Sequence, residues 1–181
     1  MEQNLIIRES SQSELDDILK VERKAFNSNE EAELVQQLLE DPTAEPRLSL
    51  LAFIDDYPVG HILFSRVEFD PPIDVVGSIL SPLAVMPDNQ KKGIGGQLIE
   101  HGLAILKDEG VDWVFVLGHV SYYLRFGFKP ALKQGFQPPY PIPSEFTNAW
   151  MTMSLSSTSS TTYLVKVIPP KSFHDPKYWR E

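Results

Sequence analysis

The chain has 181 residues, of which 42% are hydrophobic and 10% aromatic, with no cysteine and a formal net charge of −9. This length suits one domain with a packed core, and the apolar content argues against a disordered chain. The lack of cysteine excludes a disulfide scaffold, thiolate metal sites and a cysteine nucleophile. The negative charge disfavours nucleic-acid binding; it could favour cationic amine substrates, although solubility is the plainer explanation.

Targeting and metal signals are weak throughout the sequence. No apolar run reaches the roughly 18–20 residues that span a bilayer, and the first residues do not resemble a signal peptide. We therefore expect a soluble cytoplasmic protein without a membrane partner, either a monomer or a homodimer. His61, His101 and His174 have no metal-ligand spacing, so no metal site is expected.

The first seventy residues predict a strand, two helices and a hairpin. Ser11 and Glu14 have the spacing of a capping box, and the apolar residues that follow have a helical period interrupted only by Glu22. The second helix should end before Pro42. The strands are expected at residues 5–8, 48–54 and 59–69.

The middle of the chain predicts a buried strand followed by an amphipathic helix. Residues 75–85 are almost all apolar, as in a strand covered on both faces. Pro82 lies inside this run, so a bulge or a local loss of strand pairing is expected there. The helix after it should end at Gly110.

The remaining elements complete a mixed α/β domain around a central sheet. They are a buried strand at 111–117, a helical turn at 121–126, a proline-rich irregular loop at 134–146, and strands near 149–155 and 161–168 joined by a serine-rich turn at 154–160. We expect one domain over residues 1–168. Residues 169–181 form a tail to which no structure is assigned.

The segment from Val85 to Gly96 lies between the buried strand and the helix, and it is rich in glycine. Glycine lets the backbone approach a ligand closely, and the first turn of a helix leaves amide hydrogens without intrahelical partners. These amides and the helix dipole form an anion site, to which Lys91 and Lys92 add charge. The segment therefore suits a phosphate or pyrophosphate.

Three known phosphate loops can be compared with this segment. A Walker A loop is absent from the chain, and a dinucleotide fingerprint would need glycine where Leu98 stands. The string from Gln90 to Gly95 matches the Gln/Arg-x-x-Gly-x-Gly/Ala loop of the GNAT acetyltransferases in full. The alternative is a glycine-softened helix start without a ligand.

A second motif strengthens this resemblance. The string from Tyr123 to Phe128 is similar to the Tyr-x-x-x-Gly-Phe motif of GNAT domains, and residues 117–128 resemble the YhbS-like branch, which often has proline where Val120 stands. The resemblance covers about residues 5–165. It implies a GNAT fold with a mostly antiparallel sheet splayed at the acetyl-CoA strand. It also implies acetyl-CoA as cosubstrate and direct transfer of its acetyl group to a primary amine in a ternary complex.

The resemblance also implies how the cosubstrate is bound. Backbone groups of the strand before the loop would hold the pantetheine arm, backbone amides of the loop would hold the pyrophosphate, and a basic residue would reach the 3′-phosphate of CoA. In chain order these residues are Leu83, Ala84 and Val85; then Gln90, Lys91, Lys92, Gly93, Ile94, Gly95 and Gly96; and finally Arg125. The alternative for Arg125 is a solvated side chain.

Acetyl transfer needs an acid for the leaving thiolate and a neutral amine as the nucleophile. Tyr123 matches the family's general acid, and the alternative for it is aromatic packing, a role better suited to Tyr122. Some GNAT enzymes have a glutamate on the strand before the loop, whereas residues 78–81 contain no carboxylate. His119 is therefore the candidate base, unless it is a structural histidine. Glu68, Asp70 and a water chain through Ser81 are further candidates for the base.

The acceptor is a small-molecule or protein amine that the sequence does not specify. By resemblance, the first two helices and the proline-rich connection would wall its pocket, so Phe136 or Tyr140 is expected to line it. The alternative function is a non-catalytic acyl-CoA-binding module of the same fold.

Overall fold

A computed structural model describes residues 3–156 and 161–179. The helices are α1 (Leu15–Phe26), α2 (Glu30–Glu40), α3 (Ile94–Asp108) and the short α4 (Val120–Tyr123). The strands are β1 (Leu5–Glu9), β2 (Leu48–Ile54), β3 (Tyr57–Asp70), β4 (Gly77–Val85), β5 (Trp113–Leu117), β6 (Lys129–Pro130), β7 (Phe136–Gln137), β8 (Trp150–Ser154) and β9 (Val165–Ile168). Part of the predicted serine-rich turn, residues 157–160, lies outside the described residues.

The strands form a mixed and mostly antiparallel sheet, as the sequence analysis predicted. Its main path runs β1-β2-β3-β4-β5-β8-β6, and β9 pairs with the far end of β3 and with β7. Along the main path, β4 and β5 are parallel and the other neighbours are antiparallel. The central strands carry mostly apolar residues because both faces of the sheet are covered.

Helices cover the two faces of the sheet. Ile18 of α1 and Leu38 of α2 pack with Leu63 of β3 on one face. Leu98 of α3 packs with Phe64 of β3 on the other face. Within the described ranges, no helix is both long enough and apolar enough to cross a membrane.

The sheet is interrupted at Pro82, where the sequence predicted a bulge. Ile62 of β3 faces Leu83 of β4, and Phe64 faces Leu80, so β4 has one residue more than β3 between these two pairs. The parallel pairing of β4 with β5 is confined to residues 77–79 and 113–115. Beyond these pairs β4 continues to Val85 and β5 to Leu117, and a cleft lies between their ends.

The carboxy-terminal segment, residues 169–179, packs against the domain. It forms two helical turns, Lys171–Phe173 and Pro176–Trp179. The rings of Phe173 and Trp179 are buried, and the Trp179 indole donates a hydrogen bond to the Phe173 carbonyl at 3.0 Å. Trp179 also packs edge-on against Trp150 of β8, with ring centroids 5.7 Å apart. The segment left unassigned by the sequence therefore contributes to the hydrophobic core.

Candidate active site

The cleft at the divergence of β4 and β5 has a volume of about 390 Å³. Its floor is formed by the ends of the two strands and by Tyr123. Helices α1 and α2 supply one wall, and the carboxy-terminal segment supplies another. The floor residues are Leu80, Ser81, Pro82, Leu83, Val116, Leu117, Gly118, His119 and Tyr123, and the wall residues are Phe26, Glu30, Glu31, Leu34, Phe173, Lys177 and Tyr178.

The glycine-rich loop connects the end of β4 to the start of α3. The Gln90 side-chain amide donates a hydrogen bond to the Val85 carbonyl at 3.0 Å, which ties the loop back onto the strand. Gly93 is the N-cap of α3 and has a φ of +81°. The first bond of the helix runs from the Gln97 amide to the Gly93 carbonyl at 3.1 Å. The amides of residues 94–96 precede this bond, so they form the donor set that suits an anion.

The three glycines of the loop have different surroundings. A Cβ atom on Gly93 would meet nothing within 4 Å, so this position is open to a ligand. A Cβ on Gly95 would lie 2.6 Å from the Tyr122 hydroxyl, and a Cβ on Gly96 would lie 3.1 Å from the Phe126 ring. Gly95 and Gly96 therefore also permit close packing of the turn that follows β5, a role that the sequence analysis did not assign.

The other predicted cosubstrate residues surround the same loop. Leu83 lines the cleft, and Ala84 is buried in strand pairing with His61 of β3. Ile94 is buried in the core, so only its backbone can serve a ligand. The side chains of Lys91 and Lys92 are exposed.

Arg125 lies beside the start of α3. Its guanidinium carbon is 5.6 Å from the centroid of the Tyr122 ring and 5.7 Å from that of Phe126, and these two rings contact Gly95 and Gly96. The arginine is therefore positioned to add positive charge near the loop amides. Burial raises the pKa of the Tyr122 hydroxyl, and the charge of Arg125 acts against this shift.

Tyr123 and His119 both line the cleft. Tyr123 is 8% exposed and packs edge-on against Phe128, with ring centroids 5.6 Å apart. His119 precedes α4 and is exposed, and its carbonyl accepts hydrogen bonds from the amides of Tyr122 and Tyr123. Gly118 lies against Tyr123, because a Cβ at that position would be 2.6 Å from the tyrosine ring.

The other candidate bases are not equally placed. Glu68 and Asp70 lie at the far end of β3, where they pair with β9, and Glu68 forms an exposed ion pair with Arg66 at 3.0 Å. The structure therefore separates both carboxylates from the cleft. Ser81 lines the cleft, as a water chain through this residue would require.

The expected position of Phe136 and Tyr140 is wrong. Phe136 is fully buried and stacks on Tyr163, and Tyr140 packs near Trp179 at a centroid distance of 6.5 Å. Phe136 belongs to the core cluster, the half-buried Tyr140 packs against that cluster, and the cleft lining contains neither of them. The wall that the sequence analysis gave to the proline-rich connection is formed instead by residues of the carboxy-terminal segment.

The three histidines without metal-ligand spacing have different environments. His61 is fully buried, His101 is exposed on α3, and His174 hydrogen-bonds the Pro169 carbonyl at 2.9 Å. Over residues 3–156 and 161–179, no group of three or more His, Asp or Glu side chains is placed to hold a metal ion.

Two further features of the site were missed at the level of sequence. Glu22 of α1 and His61 of β3 form a fully buried pair, with Oε1 and Nδ1 2.6 Å apart. The signal for Glu22 was present, because it is the one charged residue on the apolar face of α1. Glu31 lines the cleft from α2, and nothing in its local pattern distinguishes it from its acidic neighbours Glu30 and Glu33.

Comparison with known proteins agrees with this geometry. A family model described as an acetyltransferase (GNAT) domain matches residues 6–131. The chain is 47% identical over 154 residues to YjhQ of Escherichia coli (strain K12), named an uncharacterized N-acetyltransferase, and the match covers 84% of this chain and 85% of that protein.

Two solved structures extend the likeness to three dimensions. The GNAT family N-acetyltransferase YhbS from Escherichia coli, in complex with CoA, matches with a TM-score of 0.85 and 28% identity over 97% of this chain and 94% of that one. A GNAT family acetyltransferase from Brucella melitensis, in complex with acetyl-CoA, matches with a TM-score of 0.74 and 28% identity over 95% of this chain and 99% of that one.

The chain therefore belongs to the GNAT family of acetyltransferases. This confirms the family, the fold and the class of enzyme that the loop and the tyrosine motif predicted. The ligands of the two solved neighbours are consistent with acetyl-CoA as cosubstrate.

Proposed function

We propose that this protein transfers the acetyl group of acetyl-CoA directly to a primary amine of a small-molecule or protein acceptor. One observation carries the proposal: a single cleft is lined both by residues 80–83, where β4 diverges from β5, and by Tyr123. A cosubstrate that enters at the loop and an acceptor that enters between α2 and the carboxy-terminal segment would meet in this cleft.

The residues around the loop fit a CoA molecule. The amides of Gly95 and Gly96 and the open approach at Gly93 suit the pyrophosphate. The exposed side chains of Lys91, Lys92 and Arg125 can add positive charge beside the phosphates.

The edge of β4 fits the pantetheine arm. On one side Leu83, Ala84 and Val85 pair with β3, and their other side faces the gap left by β5. Peptide-like groups that enter this gap can hydrogen-bond to the strand as an added strand does.

The chemistry follows from what the cleft residues can donate or accept. When bound, acetyl-CoA supplies the thioester whose carbonyl carbon is attacked. Backbone amides can stabilise the charge that develops on the carbonyl oxygen. We assign Tyr123 as the acid that protonates the leaving sulfur, because its ring lies in the cleft floor beside the divergent strands. His119 is a candidate base at the exposed mouth of the cleft.

An acetyl-CoA consumption assay over a broad amine library tests this function. We expect release of free CoA thiol with at least one amine, at a rate that depends on the amine concentration. The alternative is a non-catalytic acyl-CoA-binding module. Such a module would bind CoA with neither acetyl transfer nor slow hydrolysis of acetyl-CoA, and that result would contradict the proposal.

A further inference from the structure

A buried carboxylate lies beneath the α1 wall of the cleft. Glu22 and His61 have no exposed side-chain surface, and Glu22 Oε1 lies 2.6 Å from His61 Nδ1. The other carboxylate oxygen, Oε2 of Glu22, is buried and has no hydrogen-bond partner among the described residues. Phe26, one helical turn further along α1, lines the cleft.

His61 is hydrogen-bonded through both of its ring nitrogens. The Ser10 hydroxyl donates to the Ser49 hydroxyl at 2.7 Å, so the single proton of Ser49 is available for His61 Nε2, 2.8 Å away. When Nε2 accepts this proton, Nδ1 is the ring nitrogen that donates to Glu22.

Among the described residues, Glu31 of α2 is a second one with an unpartnered carboxylate oxygen. It lines the cleft, and its Oε2 is also buried without a hydrogen-bond partner in the part of the chain that the structure describes. Burial raises the pKa of Glu22, the interactions with His61 act against this shift, and the charge of Glu31 adds to it. Two interacting carboxylates therefore each have one unsatisfied oxygen.

An unsatisfied buried acceptor is costly, and a nearby like charge adds to the cost. A ligand that brings N–H donors and a positive charge would offset both. Lys177 of the cleft wall has its ammonium 3.8 Å from Glu30 and 4.0 Å from Asp175. Besides the charged residues Glu30 and Lys177, the cleft walls contain the apolar or aromatic residues Phe26, Leu34, Phe173 and Tyr178.

We propose that Glu31 receives the ammonium group of the acceptor and takes its proton, and that the acceptor is a primary amine on an apolar or aromatic body. Glu22 lies beneath the α1 wall and is hydrogen-bonded to His61. This inference rests on the proposed acetyltransferase function. It names the substrate class that the sequence left open.

The proton balance of the reaction is complete with these groups. The ammonium gives one proton to Glu31, which frees the nitrogen lone pair to attack the thioester carbon. The C–N bond forms and the C–S bond breaks. The thiolate takes one proton from the acid. The nitrogen loses its second proton as the amide forms, and this proton passes through the cleft to the deprotonated acid. Glu31 finally releases its proton to solvent, so the products are the amide, CoA thiol and one proton.

The test compares Glu31→Gln with the matched control Glu33→Gln. Both changes remove one negative charge from the first turn of α2, but the Glu33 side chain is exposed and is not part of the cleft lining. The probes are 2-phenylethylamine, its uncharged analogue 2-phenylethanol and the small amine methylamine. Binding of each probe to the CoA-saturated protein is measured by calorimetry, and KM and kcat are measured with acetyl-CoA.

We expect 2-phenylethylamine to bind the parent protein at least tenfold more tightly than either 2-phenylethanol or methylamine. Glu31→Gln should weaken amine binding at least tenfold and lower kcat, whereas Glu33→Gln should change both less than twofold. Glu31→Asp, which keeps the charge, should recover part of the amine affinity.

Several outcomes would overturn the inference. They are equal loss of affinity in the two glutamine variants, equal binding of amine and alcohol by the parent, and absence of amine binding once CoA is bound. Failure of CoA itself to bind would contradict the proposed function instead, so the two failures are distinguishable. The comparison of amine with alcohol uses only the parent protein, and it stands even if Glu31→Gln does not fold.

Discussion

The carboxylate of Asp41, just after α2, accepts two hydrogen bonds from Ser172, one from its amide at 2.9 Å and one from its hydroxyl at 2.7 Å. The same carboxylate also accepts from the amide and hydroxyl of Thr43. Burial acts to raise the pKa of Asp41, but these hydrogen bonds outweigh it and bring the pKa to about 2. The contact fixes the segment that carries Phe173, Lys177 and Tyr178 into the cleft wall.

Replacing Asp41 with alanine should therefore loosen this wall. We expect the free energy of unfolding to fall by about 1.5–3 kcal/mol, the usual range for a hydrogen bond to a charged group. The KM for the acceptor should rise while CoA affinity stays unchanged. Glu40→Ala is the control, because Glu40 is the exposed neighbour on α2. Chemical denaturation and steady-state kinetics measure the two effects, and equal behaviour of the two variants would remove Asp41 from this role.

The stability of the protein should also depend on pH through Asp41. Its pKa is about 2 in the folded protein, against about 3.9 in an unfolded chain. The stabilisation from a lowered carboxyl pKa is present above the unfolded value and is lost as the pH falls towards the folded value. Between about pH 4 and pH 2 the parent should lose more unfolding free energy than Asp41→Ala. Parallel curves for the two proteins would contradict this prediction.

The glycine at the start of α3 can be tested against the glycine at its other end. Gly93 and Gly110 have φ angles of +81° and +86°, and a Cβ on either would meet nothing within 4 Å. Asparagine tolerates this backbone region, so both Gly93→Asn and Gly110→Asn should fold. Only Gly93→Asn places a side chain where the pyrophosphate is proposed to approach. We expect its CoA affinity to fall at least tenfold by calorimetry while Gly110→Asn binds normally. Equal affinities would refute the loop assignment.

Removing the Tyr123 hydroxyl should slow the reaction without weakening the binding of the cosubstrate. We expect Tyr123→Phe to lower kcat by about 10²–10⁴-fold, the usual worth of a positioned acid, with CoA affinity nearly intact. Tyr140→Phe is the control, because it removes the same group from a tyrosine outside the cleft. A Tyr123→Phe turnover within twofold of the parent would exclude this tyrosine as the acid.

The pair of Glu22 and His61 predicts a different loss of stability for each of two substitutions at Glu22. Glu22→Ala leaves the buried His61 Nδ1 hydrogen without an acceptor, which should cost at least about 1–3 kcal/mol of unfolding free energy. Glu22→Gln keeps an acceptor oxygen and removes the charge, so its cost should be smaller.

The pH dependence at Glu22 should also distinguish the variants. Burial raises the pKa of Glu22 in the folded protein, so the folded state binds the proton more readily than the unfolded state. The parent should therefore gain stability as the pH falls through the raised pKa towards the unfolded value near 4.3, and Glu22→Gln should lack this gain. Denaturation curves at pH 5 and pH 8 measure the difference. A parent that is more stable at pH 8, relative to Glu22→Gln, would contradict the prediction.

Local patterns predicted most of the elements and the loop of the site. The capping box of Ser11 and Glu14 is present at the turn before α1. The apolar period set the extent of α3, and Pro82 marks the interruption of β4. Each of these signals depends on residues close together in the chain, so the sequence alone displays it.

Aromatic residues of the pocket wall could not be predicted in the same way. Phe136 and Phe173 both lie within a few residues of prolines and both are buried in the core, and nothing local indicates that only Phe173 also lines the cleft. The choice depends on which space remains after the sheet and helices have packed. The prediction for Phe136 was wrong for this reason.

The sequence by itself determined the family, the α/β architecture and the position of the glycine-rich loop, because motif spacing and apolar period act over a few residues. Only the tertiary structure decided which side chains line the cleft and which distant residues pair behind its walls. Glu22 and His61 are 39 positions apart, and Asp41 and Ser172 are 131 positions apart. Their contacts arise when α1, α2 and the carboxy-terminal segment pack against one side of the sheet, and no local pattern encodes such a pairing.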